Sequence, residues 1–132
     1  MSVPETGLPR RPMPLGIHHL ALRVADCEAS RAFYVDTLGL HEIRRATRDD
    51  AVQSIWLGLG EDAILMLERR LRGAGPESGS GHVLALAVED LPSWEERLAA
   101  RGVPIEDRTA HTIYLRDPDG HRLGLTVFPR TT

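Results

Sequence analysis

A single cysteine, Cys27, stands in this chain of 132 residues. One thiol excludes an intrachain disulfide framework and suits a reducing compartment, so a cytoplasmic protein is expected. No apolar run approaches the roughly 20 residues that cross a bilayer. The start of the chain lacks the charged-then-apolar layout of a secretory signal, which predicts no export and no membrane partner. Excess positive charge is missing too. The formal net charge is −3 and the isoelectric point is near 6.0. No basic stripe stands out, which speaks against a nucleic-acid binder. Arg44, Arg45 and Arg48 are followed at once by Asp49 and Asp50 and read as a solvated strand end.

What the chain does have is repetition. IHHLALRVAD at 17–26 returns as GHVLALAVED at 81–90, an offset of 64. SIWLGLGEDAILMLE at 54–68 aligns without a gap to TIYLRDPDGHRLGLT at 112–126, an offset of 58. Self-similarity at fixed offsets marks a duplicated structural unit. At this length the halves are expected to share one core, with each other or with a second chain.

In chain order, 1–16 carries Pro4, Pro9, Pro12 and Pro14 and reads as a flexible lead-in. Over 18–24, Leu20, Leu22 and Val24 alternate with His19, Ala21 and Arg23, the pattern of a half-buried strand. Asp26 is placed to cap a helix from 27 to about 38, and Gly39 to stop it. Strands are expected over 40–47, 52–59 and 63–69, the last two joined by a short hairpin link. The first unit is thus βαβββ over 17–71. The glycines and serines of 72–81 read as a linker. The second unit, 82–129, repeats the order: strand 83–88, cap Asp90, helix 92–101, then strands 103–107, 111–116 and 121–128. Asp117-Pro118-Asp119-Gly120 has the composition of a tight hairpin turn. The fold class is α+β, two tandem βαβββ modules.

IHHLALRVAD, SRAFYVDTLGL at 30–40 and YLRDPDGHRLGL at 114–125 together resemble the vicinal oxygen chelate superfamily, the group of glyoxalase I, extradiol dioxygenases, fosfomycin-modifying enzymes and bleomycin-resistance proteins. The resemblance covers about 17–128. It implies paired modules forming an open barrel around a cavity, commonly in a homodimer, with modules contributed by one chain or exchanged between two. It also implies a divalent metal, held by a first-strand His or Gln and a fourth-strand Glu from each module and acting as a Lewis acid on two neighbouring substrate oxygens. Carried over one at a time, those positions fall on His19, Met66, Val83 and Gly124. One donor of four remains, where a working site needs about three. A shifted reading through His82 would turn its strand inside out. Glu68 keeps the parity of Met66 and would join His19 only in a non-standard shell.

The expected function is therefore a small-molecule-binding protein without a cofactor, taking or sequestering an aromatic or acidic ligand. Its candidate site comprises His19, Arg23, Trp56, Met66, Glu68, Val83, Tyr114, Arg122 and Gly124. Trp56 and Tyr114 could stack on a flat ligand or serve the core. Arg23 and Arg122 could grip a carboxylate or reach solvent. His19 has the residue type of a lone acid or base, or is a hydrogen-bonded relic. The alternatives are a glyoxalase-like lyase or isomerase or a dioxygenase, with a divalent metal at His19 and Glu68 or with His19 alone, and an assembly subunit whose cavity its own side chains fill.

Overall fold

The computed structural model describes residues 12–71 and 82–129. The expected lead-in and linker fall largely or wholly outside them; residues 12–16 form no regular element. The first module runs β1 (His19–Arg23), α1 (Cys27–Arg31), β2 (His41–Arg48), β3 (Ala51–Gly58) and β4 (Ile64–Glu68). The second runs β5 (Leu84–Ala87), α2 (Leu91–Ala100), β6 (Asp107–Arg108), β7 (Thr112–Arg116) and β8 (Arg122–Thr126). Each forms a four-stranded mixed sheet, ordered β1-β4-β3-β2 and β5-β8-β7-β6. The two sheets are curved companions and not one closed barrel.

The caps fall where expected. Asp26 accepts from the amides of Glu28 and Ala29 at 3.0 and 3.1 Å, and Asp90 from Ser93 at 2.7 Å. Each carboxylate satisfies amides that have no intrahelical partner. Beyond Arg31 the first helix widens into π-helical turns over Ala32–Thr37. It ends in Gly39, whose φ of 87° suits a residue without a Cβ.

Strand alternation divides each sheet into two faces. One face of the first module buries Val24, Ile55, Leu57, Leu65 and Leu67 beneath α1, with Tyr34 and Leu38 completing the layer. Ile113, Leu115, Leu123 and Leu125 do the same in the second, with Leu98 of α2. Every core leucine paired by the repeat is fully buried: Leu65 with Leu123, Leu67 with Leu125.

Two expectations need correction. The strand expected over 103–107 shrinks to Asp107–Arg108. Val103 spends its amide on Leu98 O at 2.9 Å, closing the helix, and Pro104 has no amide to give a ladder. Asp49 and Asp50, exposed at the end of β2 as expected, form the turn to β3 with φ of 53° and 63°, the left-handed pair of a two-residue hairpin. Leu20, expected on the packed face, is still 36 % exposed because it lies near the open end of an edge strand.

Candidate functional site

The modules are locked together by the tip of the β7–β8 hairpin. The buried Asp117 accepts from Tyr34 Oη at 2.7 Å, and from the amides of Asp119 and His121 at 2.9 and 2.8 Å. Asp119 reaches into the first module, accepting from the Ala25 amide at 2.8 Å and the Ser30 hydroxyl at 3.1 Å. His121 Nε2–H donates to Arg23 O at 2.8 Å. Burial and the neighbouring Asp117 carboxylate push the Tyr34 hydroxyl well above the usual phenol range, so it stays a donor. A turn motif read from sequence as local is thus a clamp between modules.

The face of each sheet opposite its helix carries the candidate residues. In the first module the register sets Ala21 beside Met66, Arg23 beside Glu68 and Trp56 beside Met66. His19 pairs with Ile64. Glu68 therefore lies four residues along from His19, a displacement of about 13 Å at the strand rise. The structure brings Glu68 to Arg23 and Ser54, and does not bring it to His19. Glu68 Oε2 accepts from the Ser54 hydroxyl, which in turn accepts from Trp56 Nε1 at 3.0 Å. His19 is exposed, its ring edge-on to His18 at 5.3 Å with the two Nδ1 atoms 3.0 Å apart.

The second module echoes this arrangement. Thr112 and Thr126, equivalents of Ser54 and Glu68 under the repeat, hydrogen-bond at 2.8 Å. Tyr114 pairs with Gly124. A Cβ on Gly124 would meet the Tyr114 ring and the Thr112 methyl, each at 3.3 Å. The missing side chain of Gly124 is the space in which Tyr114 lies. Val83 is 43 % exposed at the start of β5. Among the described residues, no three His, Cys, Asp or Glu side chains are grouped to hold a metal ion.

Both aromatic rings already carry a cation. The Arg122 guanidinium sits 4.4 Å over Tyr114 and that of Arg44 sits 4.8 Å over Trp56. Arg44, read from sequence as solvated, belongs to the face. Arg122 Nε is buried without a hydrogen-bond partner; its nearest carboxylate oxygen, on Glu106, is 3.8 Å away, and Asp107 approaches Nη2 at 3.6 Å. Glu106 is engaged instead by Arg116 at 2.9 Å, which holds its carboxyl below the ordinary value. Arg23 shares a recess of about 510 Å³ with Arg69, Arg70 and Leu71. Ser54, Thr112 and Thr126 escaped the sequence reading, although the Ser54/Thr112 pairing in the repeat was a usable signal. Cys27 lies buried, its thiol raised by desolvation, as a structural residue would.

No helix among the described residues is long and apolar enough to cross a membrane. The sequence profile of the Glyoxalase/Bleomycin resistance protein/Dioxygenase superfamily matches residues 16–125. The metallothiol transferase FosB of Bacillus licheniformis is 32 % identical over 129 residues, covering 88 % of this chain and 79 % of that protein. A probable lactoylglutathione lyase of Vibrio cholerae is 28 % identical, covering 83 % of this chain and 88 % of its own. The crystal structure of TnmS3, an antibiotic binding protein from Streptomyces sp. CB03234, shares the fold with a TM-score of 0.70 at 23 % identity, over 88 % of this chain and 98 % of that one. With all of the first βαβββ module and nearly all of the second inside the matched span, this chain belongs to the Glyoxalase/Bleomycin resistance protein/Dioxygenase superfamily.

Proposed function

We propose that the chain is a small-molecule-binding member of its superfamily whose metal site is degraded, and that it takes an aromatic organic acid on the sheet faces opposite the helices. The observation that carries this reading is the pair of guanidinium-capped rings, Arg44 on Trp56 and Arg122 on Tyr114. A planar acid finds there both a surface to stack on and a cation to pair with. The Arg23, Arg69 and Arg70 recess adds positive charge beside the same face. The four positions implied for metal do not fit one: Met66 is a weak donor, Val83 is none, and a side chain at Gly124 would collide with Tyr114. His19, Met66, Glu68, Val83 and Gly124 line the same faces as positioning and packing groups. The active form is a homodimer, and the exposed Leu20 and Val83 offer apolar surface for the second copy.

A second reading, an enzyme of the transferase or lyase type with His19 as acid or base, draws on the names of the curated relatives. One experiment separates the two. Untagged protein is dialysed against Mn, Fe, Ni or Zn and analysed for metal, then titrated with benzoate and benzamide. Binding predicts less than about a tenth of an equivalent of metal, where a resident site would hold close to one. It also predicts benzoate affinity above that of benzamide and about ten-fold lower in Arg122→Gln, on the scale of a charge-assisted contact. A full equivalent of metal that disappears in His19→Ala overturns the first reading and supports the second.

A further inference from the structure

A cleft larger than the recess beside Arg23 opens between the modules, and it touches the candidate face of the second sheet only at Ala85, Ala87 and Thr126. It is an opening of about 1190 Å³, walled by Leu40, Leu59, Leu84, Leu86, Val88 and Trp94. Its origin is legible in the internal repeat. The hairpin clamp joins Asp117 to Tyr34, Asp119 to Ser30, and His121 to Arg23 O. Under the two offsets, the equivalent contact on the opposite side of the pseudo-symmetric pair would join Leu59 to Leu98, Glu61 to Trp94, and Ala63 to Ala87. Every hydrogen-bonding pair of the clamp thus has at least one apolar counterpart. What is a polar lock on one side is an apolar gap on the other. Arg97 limits the gap, donating to Thr37 O at 2.7 Å and Asp36 O at 2.9 Å, so α2 is held to the first module beside the opening.

The wall carries acidic groups. Its charged members among the described residues are the carboxylates of Glu61 and Asp62, and its sole other titratable group is His18. Both acids sit at positive φ, 46° and 70°, in the β3–β4 turn that forms the rim. The candidate faces have the opposite character, with Arg23, Arg44 and Arg122. An apolar wall ending in carboxylates favours an apolar body carrying a positive end, since burying the hydrocarbon is favourable and the ammonium keeps an ionic partner at the mouth.

We propose that the inter-module cleft is a second binding site, for a small amphiphilic amine whose apolar body lies between Leu86 and Trp94 and whose ammonium faces Glu61 and Asp62. The site uses neither guanidinium-capped ring, and its test does not depend on the reading for aromatic acids.

Trp94 is the reporter. The chain has 2 tryptophans, so Trp56→Phe leaves Trp94 alone. Fluorescence of that variant is titrated with octylamine, octanol and octanoate at matched ionic strength. Saturable quenching or shift by octylamine, at least ten-fold tighter than by octanol and weakest for octanoate, is expected. The double variant Glu61→Gln/Asp62→Asn in the same background should bring the amine down to the level of the alcohol. Equal responses to amine and carboxylate, or an amine response untouched by the double variant, overturn the proposal. A Trp94 signal that follows protein concentration and not ligand gives the cleft to a second copy of the chain and also overturns it. Should Trp56→Phe fail to fold, crystals of the unaltered protein soaked with a bromoalkylamine serve instead. A bromine peak between Leu86 and Trp94 supports the site; none there, or a peak only on the opposite sheet faces, overturns it.

Discussion

Tyr34 and Asp117, 83 residues apart in the chain, meet through a buried hydrogen bond of 2.7 Å that ties the helix of the first module to the hairpin of the second. Asp117 could not sit alone at 5 % exposure. A buried carboxylate needs donors on both oxygens, and Tyr34 supplies the one that Asp119 and His121 do not.

Removing that donor is therefore expected to destabilise the whole chain and not one module. Tyr34→Phe should lower the unfolding free energy by about 1–3 kcal/mol, the penalty of a buried acceptor left short of a partner. Denaturant melts followed by fluorescence and by far-ultraviolet dichroism should stay superimposed, because the modules share the clamp. The pH sign follows from the raised hydroxyl. A folded value above the unfolded one means that the stabilisation is complete below the unfolded phenol value of about 10 and is lost as pH climbs above it. The alkaline loss of stability should be shallower in Tyr34→Phe, which has nothing to ionise there. Parallel alkaline limbs in the two proteins would show that Tyr34 is not the group responsible.

Glu42 contributes to the acid limb, beside Glu106 and Asp90, whose carboxyls are also held below their ordinary values. Glu42 accepts from Arg31 at 2.8 Å and from Arg45 at 2.7 Å, and those hydrogen bonds hold its carboxyl down to about 2 from an ordinary 4.5. A depressed carboxylate stabilises the fold above the unfolded value and loses that contribution as pH falls. The window is then pH 4.5 down to about 2. Glu42→Gln should flatten the stability profile in that window and leave the profile near neutrality the same shape. The side chain is 26 % exposed, so molar salt should shrink the difference between the two proteins. A wild-type profile already flat between those limits would remove Glu42 from the account.

How much of this was readable in the sequence depends on the range of the interaction. Asp26 and Asp90 act on amides two or three residues away, and both caps were legible from local order. The leucines at 65, 67, 123 and 125 repeat with the strand period, so the buried layer followed from the pattern. The offset of 58 made Trp56 the equivalent of Tyr114, and the structure sets the two in equivalent registers, opposite Met66 and Gly124. The clamp was out of reach, because Asp119 finds Ser30 across 89 positions and no periodicity links them. Arg44 is exposed, as its charged surroundings suggested, but its ring contact was out of reach for a similar reason. Its neighbours in sequence are charged and suggest solvent, whereas its neighbour in space is the Trp56 ring one strand away. Glu68 was open to joining His19 only in a non-standard shell, and the parallel register of β1 and β4 sets it beside Arg23.

Gly124 gives the sharpest remaining test, because its role is defined by an absence. The ring of Tyr114 and the methyl of Thr112 lie 3.3 Å from where a Cβ would stand, closer than ordinary van der Waals contact. Gly124 is buried in the middle of β8, so the strand cannot back away. Gly124→Ala should then push Tyr114 off its place beneath Arg122 and destabilise by about 1–3 kcal/mol, the usual penalty of overfilling a packed site. Alanine itself is a better strand residue than glycine, so a loss of stability must come from the collision and not from backbone propensity. A double-mutant cycle isolates that term. In a Tyr114→Ala background the added methyl has room, and Gly124→Ala should become neutral or stabilising there, giving a coupling of about 1–3 kcal/mol between adjacent residues. Additive effects across the cycle would mean that Tyr114 does not occupy the space, and that a larger residue at position 124, including a metal-binding glutamate, is compatible with the ring where it stands.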